Sequence, residues 1–91
     1  MIQHQQQFES FIKAAGVGSR DKVADSVKSY ISYLNSVSRH LGIEVSPTTL
    51  RSNTDISALE KSLQGKVSDK TIQNYKAAMH QYVSMVEAHG L

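Results

Sequence analysis

Cysteine is absent from this chain of 91 residues, which rules out a disulfide framework and any thiolate metal site. No run approaches the roughly 18 uninterrupted apolar residues that a membrane-spanning helix needs. Residues Met1 to Gln7 have neither a basic n-region nor an apolar h-region, so they do not read as a signal peptide. Period-two alternation never lasts long enough to argue for a strand. Proline occurs once, at Pro47, where it marks a connection and not a domain boundary. Net charge is also scarce, at +2, with a sequence pI near 9.0. The expectation is a small non-membrane domain in a reducing, cytoplasmic setting. A hydrophobic fraction of 40% suffices for one core.

What the chain does have is helical periodicity. The first segment, about His4 to Ala15, carries Phe8, Phe11, Ile12 and Ala15 on a short apolar stripe. Gly16-Val17-Gly18 breaks it, since two glycines this close make a helix interior costly. The second segment, about Arg20 to Leu41, has Ser19 placed as N-cap and Gly42 as the residue after its end. Val23, Val27, Tyr30, Ile31, Leu34, Val37 and Leu41 form its stripe, and Ser26, Ser29, Ser32, Tyr33 and Ser36 its hydroxyl-rich side.

Ser46-Pro47 suits a single turn in the connection that follows. Asn53 or Thr54 then caps a third helix from about Asp55 to Gln64, with Ile56, Leu59 and Leu63 inward and Gly65 after it. The last helix starts at the Ser68 N-cap, with Asp69 in its first turn. Ile72, Tyr75, Met79, Tyr82, Val83 and Val86 line its apolar side, while Lys70, Gln73, Asn74, Lys76, His80 and Gln81 line the other.

Four apolar stripes joined by short connections have to bury themselves against one another. The predicted fold is all-α, a compact four-helix bundle in one domain, residues 1–91. Within it, residues 1–18 form an N-terminal helix with its glycine-rich break, and 19–91 the core bundle. Its predicted centre is Tyr30, Ile31, Leu34, Leu59, Leu63, Ile72, Tyr75, Met79, Tyr82 and Val83. Tyr33 falls outside the stripe of its helix and is the one aromatic weighed as a ligand contact.

Catalysis has little to work with. No two of His4, His40, His80 and His89 lie at i, i+3 or i+4, so no helix offers a metal a pair of imidazoles. Asp21, Asp25, Asp55 and Asp69 sit near helix starts, where capping explains them. Gly16-Val17-Gly18-Ser19 lacks the preceding strand and downstream lysine of a phosphate loop, although Ser19, Arg20 and backbone amides suit a weak anion site. No base is spaced to activate a serine. The chain reads as a non-enzymatic binding domain with no cofactor and no metal.

Val27-Lys28-Ser29-Tyr30-Ile31-Ser32-Tyr33-Leu34 resembles the first helix of the core-binding domain of tyrosine recombinases (phage integrases). Asp55-Ile56-Ser57-Ala58-Leu59 is similar to that family's short middle helix. The stretch from Ser68-Asp69-Lys70-Thr71-Ile72 through Met85 resembles its closing helix. The resemblance covers about residues 23–90, and similar helical modules precede nuclease domains in some restriction endonucleases. It implies a SAM-like bundle that clamps one side of duplex DNA, with Lys70, Thr71, Asn74 and Lys76 near the DNA and Ser26, Ser29 and Tyr33 offered by the long helix. The chain departs from the family in lacking the catalytic domain, in a lower basic content, and in a longer, less charged connection around Pro47. Its stop at His89-Gly90-Leu91, just past a helix end, is what an N-terminal domain of a longer protein would show.

The resulting expectation is a module for double-stranded DNA. Arg20, Lys22, Lys28 and Arg39 would meet phosphates from the long helix, and Lys70 and Lys76 from the last. Gln73, Asn74 and His80 would reach base edges. All of these groups are expected on one common outer wall. The candidate partners are duplex DNA, a catalytic domain in the same parent chain and a second copy of the chain. The alternative is a helical protein-interaction or dimerisation module using Phe8, Phe11 and Ile12.

Overall fold

The computed structural model describes residues 2–15 and 23–91, with the side chains of 15 and 23–26 left aside. Four helices run in chain order: α1 (Gln5–Ala15), α2 (Val23–Leu41), α3 (Asn53–Leu63) and α4 (Asp69–His89). The fold is an all-α four-helix bundle. Among the described residues, extended pairing is limited to two isolated bridges, Ile2 with Val45 and Gln64 with Val67. The radius of gyration is 12.2 Å, matching the value of about 12 Å expected for a compact chain of this length.

Local chemistry accounts for the helix ends. Ser68 accepts the backbone N–H of Thr71 at 3.3 Å, closing the first turn of α4. Gly42 has φ 64, and the amide of Ile43 turns back to the Ser38 carbonyl at 3.2 Å, the hydrogen bond of a left-handed helix stop. Gly90 does the same for α4 at φ 65, with the Leu91 amide on the Val86 carbonyl. At the start of α3 the cap is Ser52, not Asn53 or Thr54. The Asp55 carboxylate decides this by accepting the backbone N–H groups of Arg51 and Ser52 at 2.9 and 3.3 Å. A single turn forms at Ser46–Leu50 as expected, its hydrogen bonds running from Thr49 and Leu50 to the Ser46 carbonyl.

Packing follows from which helices meet. α2 and α4 lie directly against each other, α1 and α3 each touch both, and α1 and α3 do not meet. The section is therefore a rhombus with α2 and α4 across its short diagonal. Of the predicted centre, Leu34, Leu63, Ile72, Tyr75, Met79, Tyr82 and Val83 are buried, whereas Tyr30, Ile31 and Leu59 are only half-buried against it. Phe8 and Ile12 of α1 are fully buried, so the first helix seals the core. Ile2, Val45, Leu50, Ala78 and Met85 join the core without having been expected there.

The N-terminal arm is tied down by three separate groups. Gln3 donates its backbone N–H to the Val45 carbonyl at 2.8 Å, and its side-chain amide meets Glu44. Its carbonyl accepts the Tyr82 hydroxyl at 2.7 Å. His4 then takes φ 59, uncommon outside glycine but among the angles histidine adopts more readily than most residues, and turns the chain into α1. The His4 carbonyl accepts the Phe8 amide at 2.9 Å.

Candidate nucleic-acid interface

Two strips of polar side chains stand fully outside the bundle. On α2 the positions i, i+4, i+7 and i+11 are Lys28, Ser32, Asn35 and Arg39, all exposed. Asn35 was not among the expected contacts, although its place at i+7 from Lys28, on the same side of the helix, marks it. On α4 the outward arc holds Lys70, Gln73, Asn74, Ala77, His80 and Ser84, again all exposed. Ala77 leaves the middle of that arc free of bulk. No carboxylate occurs between Lys28 and Ile43 or between Lys70 and Val86. The α2 strip thus carries two fixed positive charges and the α4 arc one, at Lys70, with no acid at any of these positions.

Other expected contacts are drawn elsewhere. The Lys76 ammonium lies 3.3 Å from the Glu60 carboxylate of α3, both side chains partly covered, so its charge is already matched. The Thr71 hydroxyl sits 2.9 Å from that of Ser68 and belongs to the helix cap. Tyr33 is half-buried. Its ring lies 5.8 Å from Tyr75 and 6.3 Å from Tyr30, with His40 6.4 Å from Tyr75 on the other side. These tilted contacts fill the junction of α2 and α4 and leave Tyr33 little free face. Ser29 is half-buried on the same flank of α2 as Tyr33. Arg20, Lys22 and the glycine-flanked anion site at 16–19 lie outside the described residues, as does the side chain of Ser26. Phe8 and Ile12, named for the dimerisation alternative, are in the core. Phe11 is half-buried with its ring 6.2 Å from His89.

The expectation of one common outer wall needs correction. The buried side of α2 (Val27, Leu34, Val37) and that of α4 (Tyr75, Met79, Tyr82) are turned toward the shared core across which the two helices pack directly. By helical phase their exposed strips lie half a turn from those buried sides. The Lys28–Arg39 strip and the Lys70–Ser84 strip consequently point away from each other. What the fold assembles is two polar strips with basic residues, back to back, with α1 and α3 between them.

Comparison of the chain with protein-family models, curated proteins and solved structures finds no match. The geometry of these two strips is therefore what carries the functional reading.

Proposed function

We propose that this chain is a non-catalytic module that binds double-stranded DNA, with the outward arc of α4 as its principal contact. The carrying observation is the exposed set Lys70, Gln73, Asn74 and His80 on a helix segment with no carboxylate from Lys70 to Val86. Lys70 supplies a phosphate contact that is blind to sequence, and His80 adds a second when protonated. Gln73 and Asn74 carry the amide that pairs in bidentate fashion with the edge of adenine in the major groove. The arc from Lys70 to Ser84 spans about 21 Å of helix, and a major groove about 12 Å wide admits an α-helix along it.

The resemblance to the core-binding domain of tyrosine recombinases supports this reading. It extends it to a DNA-recognition part of a recombinase or of a restriction endonuclease, alongside a catalytic domain in the same parent chain. The ion pair of Lys76 with Glu60 shifts the weight from Lys76 to Lys70 within that scheme.

A mobility-shift titration on a mixed-sequence duplex over a range of salt concentrations tests it. Affinity is expected to fall with salt, and Lys70→Ala to reduce the log–log slope by roughly 0.9, the contribution of one neutralised phosphate. Gln73→Ala with Asn74→Ala is expected to level the preference among sequences while leaving that slope alone. No retardation at low salt, or an unchanged slope in Lys70→Ala, overturns the proposal.

A further inference from the structure

Resting on the DNA reading of α4, we infer that one copy of the chain holds two DNA duplexes at once, one on each outward strip. The observation behind it is the opposition of the strips. Lys28, Ser32, Asn35 and Arg39 give α2 the same kinds of group as the α4 arc, basic side chains, a carboxamide and a hydroxyl at helical spacing, with no acid among them. Arg39 keeps its guanidinium at the surface, where it donates a 3.4 Å hydrogen bond to Ser36 of the same helix. No single straight duplex can lie on both strips, because they face opposite ways across the core.

Electrostatics permits both sites to fill. Two helices packed about 8–10 Å between axes, each about 10–12 Å in diameter, set their outer surfaces about 20 Å apart. The Debye length is about 8 Å at physiological ionic strength. The phosphates of one bound duplex are thus more than two screening lengths from those of the other, and the second binding event meets little repulsion. The α2 strip measures about 16 Å from Lys28 to Arg39, so it grips a shorter stretch than α4 does. It is expected to read bases less, with one carboxamide against two, while its two fixed cations give it the steeper fall of affinity with salt.

The test is a bridging assay with the full chain. One biotinylated duplex is fixed to beads, and a second, fluorescent duplex of unrelated sequence is offered with and without protein. Sedimentation of the protein and of its complexes is followed in parallel. Monomeric protein is expected to carry the fluorescent duplex onto the beads and to saturate at two duplexes per chain. Lys28→Ala with Arg39→Ala is expected to cut bridging tenfold or more while leaving retardation of a single duplex within about twofold of the parent. Lys70→Ala with Asn74→Ala should lower both readouts. Circular dichroism on each variant confirms the fold, and all four positions are exposed, so each substitution leaves the core intact.

Saturation at one duplex per chain with no bridging overturns the inference and leaves the α4 reading standing. So does bridging that appears only in a dimer, or that survives Lys28→Ala with Arg39→Ala. If no duplex is retarded at all, the DNA reading falls and this inference with it.

Discussion

Removing one hydroxyl from the core should separate two energetic roles of Tyr82. Its ring is fully buried and lies 5.6 Å from Phe8 in a tilted contact, and its hydroxyl donates to the Gln3 carbonyl at 2.7 Å. In Tyr82→Phe the ring packing stays and only the hydrogen bond goes, at a cost of about 1 kcal/mol. For a domain this size that is a fall of roughly 4–8 °C in Tm.

The phenol adds a pH dependence of opposite sign. Burial, with a smaller push from the Glu44 carboxylate, raises its pKa from 10.0 to about 12. The unfolded chain releases this proton near pH 10 and the folded chain only near 12. The contribution of Tyr82 is thus intact below pH 10 and lost as pH climbs toward 12. Two units at about 1.4 kcal/mol each give a full loss of about 2.7 kcal/mol, roughly half of it by pH 11. Phe has no proton to lose, so the variant should be the less stable protein near pH 8 and draw level with or pass the parent close to pH 11. Urea unfolding followed by far-ultraviolet circular dichroism at both pH values reads this directly. Every other group is common to the two proteins, so its contribution cancels in the difference. Equal stabilities near pH 8, or a gap that stays constant to pH 11, would refute the reasoning.

The other expectations concern the seal and the cap. Phe8→Ala opens the fully buried site of α1 facing Tyr82 and should cost about 3–5 kcal/mol, a large part of the 5–15 kcal/mol typical of a whole domain. The urea midpoint measures this, and a loss below about 1 kcal/mol would mean that α1 does not close the core. Ser68→Ala removes the acceptor of the Thr71 amide and should cost about 1 kcal/mol. Ser68→Asp should restore it, with thermal unfolding as the readout and a failure of Asp to rescue as the adverse result.

Most of the fold was legible because it is local. Stripes at steps of three and four located four helices to within a few residues, and Ser68, Gly42 and Gly90 stand where capping chemistry requires them. The misses have long-range causes. Ile2, Val45 and Leu50 sit in irregular segments with no period to announce them, and they are buried because the N-terminal arm lies against the α2–α3 connection. The hydrogen bond from Tyr82 to Gln3 spans 79 residues of sequence, so no window of sequence contains both partners. Ser52 displaced Asn53 as the cap of α3 through the reach of one carboxylate, a choice among adjacent polar residues that propensity does not rank.

The candidate site divides along the same line. Periodicity tells which side chains of one helix face outward, and it did so for Lys28, Arg39, Lys70, Gln73, Asn74 and His80. It cannot tell how the outward side of one helix stands relative to that of another, and here the two stand opposed. Nor could it show that Lys76 would be matched by Glu60 from α3. The placement of acids makes the same point about net charge. By helical phase Asp69, Lys76 and Glu87 fall on one flank of α4, at i, i+7 and i+18, the flank that Lys76 shows to be turned to α3. These carboxylates border the outward arc, whose own positions carry Lys70, His80, two amides, Ala77 and Ser84 but no acid. A total of +2 therefore says little about this surface: its own positions hold Lys70 and His80 with no acid among them, Asp69 and Glu87 stand at its edge, and helical phase, not an excess of basic residues, sorts them so.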